Sequence, residues 1–304
     1  MSIAEHEELD MGESLFRLGK DLKKAARGMT RQDARWLVDF YYTIQDERIR
    51  SAAQLRTSAE TQEPHQLIEW VFGSMNRFEA SIKTALGEYA RGYSVGQWLQ
   101  SIVGIGPVLS AAILTNFDIR KALTVGHFWR FAGLDPTCKW EKGQKRPYNA
   151  RLKSICVFKA GECFVKTQNH KDSVYGKLFA ERRDGIAAKN IAGEFASVAA
   201  AEMEAKPKMK ETQRYGHWQE GRIAPAHVHD RARRWAVKLF LSHVHHVMFV
   251  DFYGTNPPAP YVFDHPELGD HRHYLAPPNW PQKFDGRSLR QMFEQEGSQV
   301  RISS

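Results

Sequence analysis

Apolar residues recur along this chain every three to four positions and almost nowhere alternate, which predicts helices rather than strands. Leu37, Tyr41, Ile44 and Leu55 fall at helical spacing, and Thr30-Arg31-Gln32-Asp33 before them has the form of a capping box. Residues 57–62 break that pattern. Pro64 then opens a second stripe of Ile68, Val71, Met75, Phe78, Ile82 and Leu86. Two long helices folded into an antiparallel hairpin are expected. A short amphipathic helix with Leu15, Leu18 and Leu22 precedes them. After the hairpin, Ser94-x-x-Gln97 reads as a cap, and helical stretches recur around Phe128, Trp129 and Phe131 and over 153–166, 175–189 and 226–252. In the 153–166 stretch Ile155, Phe158 and Phe164 are the expected core residues. Between 192 and 225 the composition loosens into an alanine run, Lys206-Pro207-Lys208-Met209-Lys210, then Gly216 and Gly221, which reads as an insertion or mobile arm.

Beyond Gly254 stand seven prolines interleaved with Tyr261, Phe263, Tyr274 and Trp280. They predict an extended tail that wraps the domain or docks on a partner, with a short helix near 288–294. The expected fold is all-α: a helical domain with a central helix-hairpin-helix, a long antiparallel helical hairpin and an extended Pro-rich tail. The boundaries fall at 1–29, 30–92, 93–253 (insertion 193–225) and 254–304.

The stretch with the most specific chemistry runs from Trp98 to Leu114 and contains Ile102-Val103-Gly104-Ile105-Gly106-Pro107. Two glycines around one apolar residue suit a tight turn and a close approach by another backbone. Pro107 suits the first position of a second helix. Ile105 is expected in the core. The amides from Gly106 to Leu109 are expected to face outward as an anion site. Such a module grips phosphates without reading bases. Gly104, Ile105, Gly106 and Val108 are its expected contact residues.

Charge reinforces this reading. The chain carries a formal net charge of +8, which favours polyanionic partners. From Lys139 to Lys153 stand Lys139, Lys142, Lys145, Arg146, Arg151 and Lys153 against the single acid Glu141, with Trp140 and Tyr148 between them. Gly143 and Pro147 argue for a loop, and its place after the hairpin motif favours phosphate contact. Arg231, Arg233, Arg234 and Lys238 mark a second basic surface on the closing helix. His227, His229, His243, His245 and His246 on that helix lack metal-ligand spacing and read as packing or surface residues. No metal, cofactor or catalytic set is assigned. Cys138, Cys156 and Cys163 have no C-x-x-C spacing and read as thiols of a reducing compartment. No signal or membrane-spanning pattern is seen, so a cytoplasmic, nucleoid-associated place is expected.

The order of these features resembles a known family. A helical hairpin leads to Ile102-Val103-Gly104-Ile105-Gly106-Pro107. Phe128-x-x-Phe131-Ala132-Gly133-Leu134-x-Pro136, a basic loop and Asn149-x-x-Leu152-Lys153 follow. Tyr175 then precedes an Arg-rich helix, and Ala236-Val237-Lys238-Leu239 lies in the closing one. Over residues 30 to 250 this is similar to the C-terminal half of the IS110/IS116/IS902 transposases with their coiled-coil region. The resemblance implies DNA, duplex or branched, as partner, structured RNA as a second candidate, and self-association through residues 30–92. It also implies two catalytic parts. One is a RuvC-like domain, for which residues 1–29 are too short. The other is a serine after Gly-Leu-x-Pro, where this chain has Thr137-Cys138-Lys139. A DNA-binding protein without catalysis of its own is therefore expected, and a diverged strand-cleaving recombinase is the alternative.

Overall fold

The computed structural model describes residues 18–61, 66–259, 275–282 and 284–302. Among them the elements are helical, and the one β contact is an isolated bridge between Tyr93 and Arg287. The fold is all-α.

Helix α1 (Lys20–Ala26) buries Ala26, whereas Leu22 is exposed, contrary to the stripe expected of it. Leu15 lies outside the described residues. The capping box forms: Thr30 Oγ1 accepts the Asp33 amide at 3.0 Å, and the Asp33 carboxylate accepts the Thr30 amide at 3.3 Å. It opens α2 (Arg31–Thr61), which pairs with α3 (Gln66–Arg91). Tyr41 donates to Glu79 at 2.9 Å, Phe40 meets Phe78 edge-on, and Ser51 reaches the Met75 sulfur. Later residues of α2 thus meet earlier residues of α3, and the hairpin is antiparallel. Burial pushes Glu79 up, but hydrogen bonds from Arg48, Tyr41 and Gln45 outweigh it and hold the carboxyl below its usual range. The helix persists through Thr61, so the break expected at residue 57 does not occur; Pro64 lies outside the described residues. Only the base of the hairpin enters the core, through Ala34, Val38, Leu86 and Tyr89. Towards the tip Ile49, Leu67, Ile68 and Trp70 stay exposed.

The core gathers around α12 (Pro225–Tyr253), which Gly254 ends in the left-handed conformation. Helices α4 (Ser94–Gln100), α5 (Pro107–Asn116) and α6 (Val125–Phe131) follow the hairpin. They bring Trp98, Leu99, Leu114, Phe117 and Phe128 into that core. Next comes a continuous helical run over residues 150–166: α7 (Ala150–Lys153), a π segment (Ser154–Ala160) and α8 (Gly161–Lys166). Asn149 caps its start by accepting the Leu152 amide at 3.0 Å. Ile155 and Phe164 are buried, but Phe158 is 51% exposed, against expectation. A π turn holds an extra residue and rotates the face that follows. Helix α9 (Val174–Ile191), capped by Ser173, lies along α12 and contributes Tyr175 and Phe179.

Two further expectations are corrected. Residues 192–225 are not a loose arm: α10 (Ala196–Ala205) and α11 (Gln213–Gln219) pack together, burying Trp218 and Ala199. The Asn190 amide exchanges two 2.9 Å hydrogen bonds with the Ile223 backbone and ties this region to α9. Ser94 does not cap α4; that position is Tyr93, and the Ser94 hydroxyl donates to Asp251.

The described part of the tail wraps the domain. Trp98 Nε1 donates to the Pro278 carbonyl at 2.8 Å, and Asn279 donates to the Ser101 carbonyl at 3.1 Å. Helix α13 (Leu289–Ile302) is longer than the stretch near 288–294 and starts where Leu289 N–H donates to Asp251 at 2.6 Å. Pro260, Tyr261, Phe263, Pro266 and Tyr274 lie outside the described residues. No described helix is long and apolar enough to cross a membrane.

Candidate nucleic-acid interface

The hairpin motif has the geometry expected of it. Gly104 adopts φ +96°, a conformation that other residues resist. A Cβ there would lie 3.3 Å from the Cys163 Cβ, so this glycine also lets the turn sit against α8. Ile105 is buried, and its amide donates to the Ile102 carbonyl at 2.9 Å. Gly106, with φ −89° and ψ −178°, is the N-cap of α5, and Pro107 is its first residue. The Gly106 carbonyl accepts both the amide and the hydroxyl of Ser110. No side chain caps the helix. Among the described residues, the amides of Gly106, Val108 and Leu109 find no acceptor. Space beside Gly106 is open, since a Cβ there would meet nothing within 4 Å. Val108 itself is buried, so its amide rather than its side chain is the group left for an acceptor.

The basic loop divides into two groups. Lys139, Lys142 and Lys145 are exposed. Arg146 lies over the Trp140 ring at 5.2 Å, and the Trp140 indole donates to the Gln144 carbonyl at 2.7 Å, closing the loop on itself. Gly143, at φ +92°, makes that turn. Arg151 and Lys153 also have partners within the fold. Arg151 pairs with Asp39 of α2 and donates to its carbonyl at 3.2 Å. Lys153 lies 4.5 Å over Tyr148, which packs beside Gly133.

Loop and hairpin turn do not form one cradle. Gly104 touches Cys163 near the end of the 150–166 run, whereas the loop feeds its start. At about 1.5 Å per residue these anchor points are roughly 20 Å apart. The segment that leads into the loop borders α12. The Trp129 indole donates to the Lys238 carbonyl at 3.0 Å, and Lys238 lies 4.4 Å over the Trp129 ring. Burial pulls the Lys238 pKa down, while Asp135 at the base of the loop pulls it up. Along α12, His227, Arg231, Arg234 and Lys238 follow at intervals of three or four residues and so share a face. Arg231 lies over Phe195, and Arg182 of α9 lies over Trp235. The His227 pKa falls through burial first and then through the positive charge of Arg231 and Arg234. Sequence reading did not single out Arg182, Phe195 and Trp235, although their cation-and-aromatic composition was a usable signal. Arg233 is turned inward, paired with Glu162 and Asp230.

The other chemistry-bearing groups have partners within the fold. Tyr175 donates to His243 Nδ1 at 2.7 Å, and His243 Nε2 donates to the Leu275 carbonyl at 2.7 Å. His245 Nε2 donates to the Ala122 carbonyl at 2.8 Å. After Pro136, the Thr137 hydroxyl donates to Asp135 at 2.7 Å, and the Cys138 thiol turns to the same carboxylate. Asp118 is tied to Arg120. Among the described residues no three His, Cys, Asp or Glu side chains form a group able to hold a metal ion.

Comparison with protein-family models, curated proteins and solved structures returns no match.

Proposed function

We propose that this chain binds nucleic acid through its phosphate backbone, with DNA, duplex or branched, as the first partner. The observation that carries this reading is the turn at Gly104–Gly106, which leaves three amides of a helix start without acceptors beside open space. Such a helix end is a ready anion site. Exposed Lys139, Lys142, Lys145 and Arg146 and the basic residues of α12 support it by supplying positive charge and stacked aromatics. The resemblance to IS110-type transposases favours DNA, and structured RNA offers the same phosphate chemistry. Strand cleavage by the chain draws no support from the loop after Pro136, where Thr137 and Cys138 both turn onto Asp135. Exposed Ile49, Leu67, Ile68 and Trp70 on the hairpin favour a second copy of the chain as an additional partner.

The test is anisotropy titration of duplex, branched and single-stranded DNA and of RNA across a salt series. Binding should fall steeply with salt. Replacing Lys142, Lys145 and Arg146 with Gln should lower the log–log slope by about 0.9 for each duplex phosphate that is no longer neutralised. Absence of binding to every probe at low salt would refute the reading.

A further inference from the structure

Beside the hairpin motif lies an open cleft of about 620 Å³. Arg27 and Gly28 from the end of α1, Arg91 and Gly92 from the end of α3, Gln97 of α4, and residues 285–287 from the tail line it. Glycines let these backbones meet. A Cβ on Gly286 would fall 2.3 Å from the Ser94 nitrogen, and one on Gly92 would fall 3.1 Å from the Tyr89 carbonyl oxygen. Arg287 is held by its backbone on both sides: its amide donates to Gly92 at 2.9 Å, and its carbonyl accepts the Ser94 amide at 3.1 Å.

The guanidiniums are placed before any ligand arrives. Arg27 donates to one oxygen of Glu88 at 2.8 Å, and Arg91 donates to the other at 2.7 Å. Burial pushes Glu88 up, but these two arginines outweigh it and hold its carboxyl below the usual range, so it stays charged. Both arginine side chains nevertheless remain half-exposed or more, at 61% and 50%. The Arg287 guanidinium donates to the Arg27 carbonyl and lies 4.6 Å over the Tyr93 ring. Arg27, Arg91 and Arg287 outnumber the carboxylates of Glu88 and Asp285, so the cleft is positive.

The cleft adjoins the start of α5. A Cβ on Gly87 would lie 3.2 Å from the Pro107 Cβ and 3.4 Å from Arg91 Nη2, so both groups border one point on α3. Gln97 and Gln100 of α4 fill the corner: Gln97 donates to the Arg91 carbonyl at 2.9 Å and Gln100 to the Gly87 carbonyl at 3.2 Å. We propose that the cleft is a second phosphate subsite. A nucleic-acid strand with one phosphate on the amides of residues 106–109 passes Arg91 and places a further phosphodiester among Arg27, Arg91 and Arg287. This inference rests on the nucleic-acid reading above. It adds that bound strand clamps α1, the end of α3 and the tail together. Guanidinium forks suit the tetrahedral oxygens of phosphate better than single ammonium groups do.

The test uses the full chain with Arg27→Gln and Arg91→Gln combined, and a second protein that adds Glu88→Gln, so that no buried carboxylate is left without its partners. Circular dichroism and thermal unfolding establish that each is folded. Anisotropy with single-stranded and duplex oligonucleotides is read across a salt series, and thermal unfolding is repeated with inorganic phosphate. The expected result is a loss of tenfold or more at low salt, with a log–log slope smaller by about 0.7 on single strands or about 0.9 on duplex. Wild-type binding with unchanged affinity and slope in the folded variants overturns the cleft and leaves the hairpin reading standing. No nucleic-acid binding by the wild-type chain overturns both. Phosphate stabilisation that is lost in the variants, without strand binding by the wild-type chain, assigns the cleft to a free phosphorylated molecule and overturns the strand path.

Discussion

Replacing Gly106 with Asp separates the helix end as a piece of the fold from the helix end as an anion site. Gly106 is the N-cap of α5, its backbone is in the extended region that an N-cap aspartate adopts, and nothing obstructs a new Cβ. An aspartate there accepts from the amides of Val108 or Leu109 and complements the helix dipole. Against glycine the cap adds a few tenths of a kcal/mol, and the dipole adds about 0.3–1 kcal/mol. The folded protein should therefore become more stable by roughly 0.5–1 kcal/mol. A phosphate at the same amides now meets a carboxylate instead of free N–H groups. At about 4–6 Å, and between solvent and surface dielectric values, two like charges repel by roughly 1–4 kcal/mol. Affinity should fall by about fivefold at the least and several hundredfold at the most. Urea denaturation reads the first effect, and anisotropy with a duplex probe at fixed salt reads the second. A Gly106→Asp protein that is folded and at least as stable as wild type, yet binds DNA equally well, would refute the assignment of phosphate to this helix end.

Three other outcomes follow from the same geometry. Gly104→Ala should destabilise by about 1–3 kcal/mol, because φ +96° is strained for alanine and the Cys163 Cβ is only 3.3 Å away; a urea midpoint equal to wild type would contradict this. Burial, offset in part by the hydrogen bond to Leu275, brings the His243 pKa down to about 4. Between pH 6.5 and about 4 the unfolded chain therefore binds a proton that the folded chain refuses, and stability falls as pH falls, by about 3 kcal/mol from this group. Stability measured against pH should decline less steeply over that window in His243→Gln, and an unchanged decline would sink the assignment. Replacing Leu67, Ile68 and Trp70 with Ser should abolish self-association in light scattering; a wild-type chain that stays monomeric at high micromolar concentration would remove the second copy.

The hairpin, its capping box and the motif turn were legible because each is written locally. A 3.6-residue apolar period, Thr30 three residues before Asp33, and Gly-Ile-Gly-Pro determine their own geometry. What stayed hidden depends on distant partners. Nothing near Arg151 marks it as the mate of Asp39, 112 positions away, so by sequence it groups with the phosphate-contacting basic loop. The 192–225 stretch looked loose because its anchor is a side-chain amide, Asn190, bonding one backbone position. Phe158 fitted an ideal helical stripe, but the π segment turned it outward. The cleft escaped because its arginines come from three separate parts of the chain, each alone an ordinary surface charge.

The start of α4 has a further meaning for how the molecule comes into being. Its first amide is bonded to Arg287, 193 positions later, and Asp251 holds both the Ser94 hydroxyl and the Leu289 amide. The hairpin turn is thus synthesised early but finished late. At about 5–20 residues per second, the ribosome needs on the order of 10–40 seconds to deliver the residues that complete it. Until then α4 lacks its outer support and its indole its acceptor at Pro278. Closure over such a distance is slow compared with local helix formation. A nascent chain carries its basic loop before it carries a finished turn, so on the proposed function its competence to hold a strand arrives with α13.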